Sequence, residues 1–175
     1  VTRFTKVQNK VKAQVDDYVK RMKQRLVRRI DHEELLAELH ELWSSDFVPT
    51  NAEVAAALSP GDGDAAATAW SDIEAVLPGV LADIVVKTIN GSAKDVLDYV
   101  EKEATGMKVI AIGGDKLARG LTLEGLTTSY FIRTTKMYDT LMQMGRWFGY
   151  RPGYLDLCRL YTTPGLIKSF GLIAD

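Results

Sequence analysis

The apolar positions of this chain form one long amphipathic stripe and, after it, several short runs, and the two patterns predict different elements. Val7, Val11, Val15, Tyr18, Met22 and Leu26 recur at spacings of four, four, three, four and four, which places one apolar stripe along a long first helix. Thr5-Lys6-Val7-Gln8 has capping-box spacing at its start. Asp31 and Glu34 repeat that spacing before a second helix through Leu35, Leu36, Leu39, Leu42 and Trp43. A short third helix starts at Pro49-Thr50-Asn51-Ala52-Glu53, Ser59 to Asp64 reads as an exposed turn, and a fourth helical piece runs from Ala65 to Leu77 and stops at Pro78-Gly79. The short runs are Ile84 to Ile89, Val109 to Ile112, Thr128 to Ile132 and Leu155 to Tyr161, each read as a strand. The first ends at Asn90-Gly91-Ser92 and the second at Gly113-Gly114, both loop formers. Between them Ser92 caps a helix carrying Val96, Leu97, Tyr99 and Val100, so a strand, a helix and a strand follow within about thirty residues, by default a right-handed βαβ unit. Tyr138 to Phe148 is a further helix, interrupted at Gly145-Arg146 and closed by Gly149. Such a succession predicts an α/β layer whose functional loops sit at strand carboxyl ends.

Composition bounds that picture. With 175 residues, 46% hydrophobic and 26% charged, the chain can bury one good core and an appended subdomain. No run approaches the roughly 18 uncharged apolar residues of a spanning helix, and no apolar segment follows the basic start as in a signal peptide, so no membrane association is expected. Cys158 is the one cysteine and lies in an apolar run; a buried thiol in a reducing cytoplasm is the expectation. Val1 stands in what reads as the middle of a strand, which suggests a piece of a longer protein.

The net charge of −1 hides three blocks: residues 1–30 hold ten Lys/Arg against two Asp, residues 31–105 three Lys against sixteen acids, and residues 106–175 nine against five. The basic block reads either as a nucleic-acid face or, with the greater weight, as a helix that solvates itself. Asp31-His32-Glu33-Glu34 reads as a helix cap favoured by the dipole rather than a metal cluster. His32 and His40 are eight apart, not the four that sets two imidazoles side by side for zinc. Trp43 and Trp70 read as core residues joining the helices of this region.

The candidate chemistry lies between Lys108 and Tyr161. Two successive glycines after a strand, Gly113 and Gly114, let backbone amides approach a phosphate or sugar because no Cβ intervenes. Arg146 and Arg151 lie on and just past the helix that follows, and each offers a planar, bidentate fork that a lysine lacks. Trp147, Phe148, Tyr150 and Tyr154 either stack bases or pack in the core, the latter with the greater weight. Arg119 either serves the site or braces its loop against Glu124 or Asp115, and Asp139 supports the helix at Tyr138. The sequence contains no GxxxxGK[ST] phosphate loop and no Walker B strand, so this chain by itself is not expected to hydrolyse ATP. Nor does it contain a clear pair of carboxylates with a following lysine for a metal-dependent nuclease.

The order strand, Asn90-Gly91, helix, Gly106, Val109-Ile110-Ala111-Ile112, Asp115, Ala118-Arg119-Gly120-Leu121, strand, helix, Gly145-Arg146, Arg151 resembles the second RecA-like lobe of superfamily-two helicases. Its loop ending in Ala-Arg-Gly is similar to motif V, its Gly-Arg pair with a later Arg to motif VI, and Thr2-Arg3-Phe4 stands where motif IV would be. The wording GGDKLARGLTLEGL with QMGRWFGYRPGY resembles more closely still the bacterial Z1 (Z-one) domain, described as an endonuclease domain associated with such helicases in restriction and phage defence.

That resemblance implies a RecA-like, P-loop NTPase-like α/β fold: a parallel sheet flanked by helices, with a helical insertion. Residues 1–30 would be a first strand end and a long basic helix, 31–80 the insertion, and 81–175 the α/β core. It further implies the C-terminal motor lobe of an ATP-dependent nucleic-acid translocase, in which ATP and magnesium are held mainly by an N-terminal RecA-like lobe of the same protein and none binds tightly here. Its partner would be DNA, with RNA also open. Arg146 or Arg151 would be the arginine finger. Gly113, Gly114, Asp115, Arg119, Gly120, Thr122 and Gln143 would face the nucleotide, and Thr2, Arg3, Asn90, Gly91 and Lys116 the nucleic acid. The alternatives are a metal-dependent endonuclease domain and a non-catalytic binding or scaffolding module. This chain departs from the helicase pattern in the five-residue step from Arg146 to Arg151, in Thr122 where relatives carry an acid, and in Gly114 where they carry Thr.

Overall fold

The computed structural model describes residues 4–57, 68–89, 106–114, 125–132 and 153–174. The first helix, α1, spans Thr5–Arg28. Its inner face is Gln8, Val11, Val15, Val19, Met22 and Leu26, of which Gln8 is fully buried and the rest half-buried. Val11, Val15, Met22 and Leu26 face inward as the stripe predicts, while at two positions the next residue turns in instead: Gln8 in place of Val7 and Val19 in place of Tyr18, with Val7 and Tyr18 43% and 56% exposed. The phase is set by the surfaces that α1 meets, the strand pair described below and the neighbouring helices, and that contact turns a glutamine inward at one end. The expected capping box is not formed: Thr5 is already helical, the preceding Phe4 makes no side-chain cap, and its carbonyl accepts from the amides of Val7 and Gln8 at 3.0 and 3.1 Å.

At the corner into α2, His32–Leu42, Arg29 and Asp31 both adopt left-handed backbone, φ 53° and 49°. That geometry takes Asp31 out of position to cap, and it makes no side-chain cap bond. Arg25 closes the corner instead, its Nε and Nη2 donating to the Asp31 carbonyl at 3.1 and 2.6 Å and Nη2 reaching Glu34 Oε2 at 3.2 Å.

From α2 the chain continues without a break through a π-helical turn, Trp43–Phe47, into α3, Val48–Ala57. Pro49 explains the wide turn. A proline inside a helix offers no amide to the carbonyl four residues earlier and its ring crowds that carbonyl, and widening to a π turn relieves both. The Val48 amide accordingly donates to the Trp43 carbonyl, five residues back.

The fourth helix, α4, spans Trp70–Asp83 and does not stop at Pro78-Gly79 as expected. Tertiary anchoring overrides the breaker: Leu81 is buried beyond it, α4 packs on α1, and Lys23 Nζ donates to the Ala82 carbonyl at 3.3 Å. Trp70 stacks on His40 with ring centroids 4.7 Å apart, and Trp43 stacks on Phe47 at 5.6 Å. Both tryptophans are half-buried; Trp70 joins α4 to α2 through His40, as expected of it, whereas Trp43 stacks only within its own helical turn.

Strand β1, Val85–Ile89, pairs in parallel with β2, Val109–Gly113, in the register Val85↔Val109 to Ile89↔Gly113. Val86, Ile89 and Ile112 are buried, and α1 lies against both strands. Strand β3, Thr128–Tyr130, pairs in parallel with β4, Arg159–Tyr161. Only the second half of the run from Leu155 is strand, because a 3-10 turn occupies Leu155–Leu157. Cys158 is half-buried rather than buried, with Sγ 3.5 Å from the Tyr154 carbonyl. A helix not anticipated from the pattern, α5, follows at Pro164–Ala174. Thr163 closes its first turn and Leu166 is buried beneath it. The architecture is thus mixed α/β with parallel strand pairs. Among the described residues no helix is long and apolar enough to cross a membrane.

Candidate functional site

Parallel pairing fixes where the loops leave. Because Ile89 is the register partner of Gly113, the chain exits β1 toward Asn90 and β2 toward Gly114 at the same, carboxyl, edge. Gly113 ends β2 and is buried; Gly114 follows and is half-buried. In α/β layers this edge is where ligands meet the sheet.

The second strand pair presents a comparable edge. Tyr130 and Tyr161, register partners and the last residues of β3 and β4, are 67% and 47% exposed side by side. The next residue, Thr162, keeps a buried hydroxyl oxygen with no hydrogen-bond partner among the described residues.

Of the residues assigned functional roles from sequence, Gly113 and Gly114 have the positions just given. Thr2, Arg3, Asn90, Gly91, Asp115, Lys116, Arg119, Gly120, Thr122, Gln143, Arg146 and Arg151 lie outside the described residues, as do Arg133, Asp139, Trp147, Phe148, Tyr150 and the helices expected at Ser92 and Tyr138. Tyr154 is half-buried, and its carbonyl accepts from the Leu157 amide at 3.1 Å. Among the described residues no group of three or more His, Cys, Asp or Glu is arranged to hold a metal ion.

One polar cluster was not anticipated. Arg159, at the start of β4, donates from Nε to both Asp46 carboxylate oxygens at 3.0 and 3.1 Å. Its Nη1 donates to the Asp156 and Cys158 carbonyls at 2.8 and 3.0 Å, and Nη2 reaches the Asp46 carbonyl at 3.3 Å. The guanidinium carbon lies 4.4 Å from the centroid of the Phe47 ring, and the side chain is 12% exposed. Asn51 Nδ2 adds a bond to Asp156 Oδ2 at 2.9 Å.

The π turn is what presents Asp46 and Phe47 together to this arginine, so the distortion forced by Pro49 becomes the docking point between the helices of 32–57 and β4. With every nitrogen of its fork engaged, Arg159 has the satisfied environment of a buried structural charge and is a brace rather than a free phosphate ligand. The visible signal was a charge inside an apolar run, Leu155-Asp156-Leu157-Cys158-Arg159-Leu160-Tyr161. Its partner, 113 residues away, leaves no local trace.

A family model described as the Z1 domain matches residues 1–175, so the chain belongs to the Z1 domain family. No match was found among curated proteins or among solved structures.

Proposed function

We propose that this member of the Z1 domain family is the second, C-terminal motor lobe of a superfamily-two helicase-like, ATP-dependent nucleic-acid translocase, working in restriction or phage defence. The observation that supports the reading best is the parallel register of β1 on β2, which brings the strand ends Ile89 and Gly113 to one edge. A motif V-like loop needs that arrangement if it is to touch nucleotide and nucleic acid together, since both approach at strand carboxyl ends.

In this reading the fold is RecA-like, residues 81–175 form its core, 31–80 are a helical insertion, and 1–30 supply a strand end and the basic helix. ATP and magnesium are held mainly by the N-terminal lobe. Gly113, Gly114, Asp115, Arg119, Gly120, Thr122 and Gln143 face that nucleotide, and Thr2, Arg3, Asn90, Gly91 and Lys116 contact the nucleic-acid backbone. Arg146 or Arg151 neutralises the charge that builds on the transferred phosphoryl group, a contribution worth roughly a thousandfold or more in rate.

The test is nucleic-acid-stimulated ATP hydrolysis by the full-length protein, with Arg146→Ala and Arg151→Ala made singly and together. Loss of stimulation with nucleic-acid binding retained is the expected result. Unchanged hydrolysis in the double variant contradicts the motor role and leaves a binding module. Magnesium-dependent strand cleavage that survives both substitutions points instead to the endonuclease reading.

A further inference from the structure

We propose that the outer face of α1 is a track for the phosphate backbone of duplex DNA, separate from the strand-edge site. At 3.6 residues per turn, Lys6, Lys10, Lys20, Arg21 and Arg28 fall within a sector of about 100°, opposite the Gln8-Val15-Leu26 face that packs inward. All five are exposed.

The basic residues of α1 divide by position. Those on its flanks are used by the fold: Lys12 pairs with Asp16, Lys23 bonds the Ala82 carbonyl, and Arg25 ties down Asp31 and Glu34. On the outer sector one carboxylate, Asp17, is taken by Arg21 at 2.8 Å. Lys6, Lys10, Lys20 and Arg28 have no ion-pair partner among the described residues.

Helix physics does not account for the amino-terminal part of this arrangement. Acids belong in a first turn, where the dipole is positive, yet the first turn of α1 holds none and carries Lys6. Lys6 and Lys10, four apart, repel each other along the helix. A local rule broken without a compensating contact inside the fold points to a partner outside it.

The charge pattern selects that partner. Lys6 and Arg28 are separated by about 33 Å of helix at 1.5 Å per residue, close to one turn of B-form duplex, and a duplex offers one phosphate per roughly 1.7 Å of axis. Binding draws its free energy from counterion release and needs no base contacts. The inference stands without the motor reading, because α1 carries none of the residues assigned to nucleotide.

The experiment is a salt titration of duplex binding, by fluorescence anisotropy, with the full-length protein and a duplex of about 30 base pairs in the absence of nucleotide. Substituting Lys6, Lys10, Lys20 and Arg28 together by Gln, which retains helix propensity, is expected to weaken binding at least tenfold near 0.1 M salt. It should also flatten the log–log salt slope by about three to four units. A matched pair of charge reversals separates the track from net charge: Lys20→Glu is expected to weaken binding several-fold more than Lys168→Glu on α5. Equal losses in that pair, or an unchanged slope in the fourfold variant, overturn the proposal. So does binding to polyglutamate or to anionic vesicles that depends on the same four residues while duplex binding does not. This titration reads duplex affinity without nucleotide, whereas the motor reading is tested by ATP hydrolysis, so a failed motor reading and a failed track give different results.

Discussion

Arg159 and the outer residues of α1 carry the same charge in opposite circumstances. Arg159 spends its whole fork on a carboxylate, three carbonyls and an aromatic face, at the seam between the π turn and β4. Lys6, Lys10, Lys20 and Arg28 are exposed and make no ion pair among the described residues. The first arrangement answers a packing problem within the fold. The second leaves positive charge facing outward along one side of a helix whose other side is committed to the core. Charge alone therefore says little about role; what distinguishes the two regions is whether the fold itself supplies the counter-charge.

Removing the brace should show the largest effect on stability. Arg159→Ala leaves Asp46 half-buried without its partner and is expected to cost about 2–3 kcal/mol, less than a fully buried pair because the Asp46 side chain keeps 34% exposure. Chemical denaturation reads this as a lower midpoint, and Arg159→Lys, which keeps the charge but not the fork, should recover less than half of it. A loss below 0.5 kcal/mol would put Arg159 in the same class as the α1 lysines.

Asn51→Ala probes the same seam more gently. It removes the one bond to Asp156 and is expected to cost about 1 kcal/mol by the same measurement. On the other side of the comparison, Lys6→Glu gives the first turn of α1 the acid that its dipole favours, and should raise stability by about 0.5 kcal/mol. The same substitution should weaken duplex binding. Gain of stability with loss of binding is the combination that an idle, solvated face would not produce.

The sequence pattern and the structure agree where local forces dominate. Ile84 to Ile89 and Val109 to Ile112 were legible as strands, and they form β1 and β2, because β-branched runs ending at Asn-Gly and Gly-Gly have few other uses. The length of α1 and most of its inward face, Val11, Val15, Met22 and Leu26, were legible from periodicity; Gln8 in place of Val7 and Val19 in place of Tyr18 were not, because α1 packs on surfaces contributed from α4, β1 and β2. Both capping boxes failed for a related reason: spacing permits a cap, but left-handed Asp31 and the helical position of Thr5 put the side chains elsewhere.

Pro49 and Pro78 read as a start and a stop and are neither, since a π turn absorbs one and the packing of Leu81 carries the helix past the other. The start of α5, where Thr163 and Pro164 offer a hydroxyl cap and a preset φ, is readable by the same rules. Of the candidate site, the strand end carrying Gly113 was legible from the Gly-Gly boundary. The Arg159–Asp46 pair was not, because its two halves come from distant segments and neither segment signals the other.

The central claim, a motor lobe that supplies an arginine finger, is tested most directly by single-turnover ATP hydrolysis in the full-length protein bound to DNA, comparing the natural chain with the Arg146→Ala, Arg151→Ala and doubly substituted variants. The account predicts that one of the single variants loses roughly a thousandfold or more in the hydrolysis rate and that the double variant loses no more than that one, with DNA affinity unchanged. A double variant that hydrolyses ATP at the natural rate would contradict it.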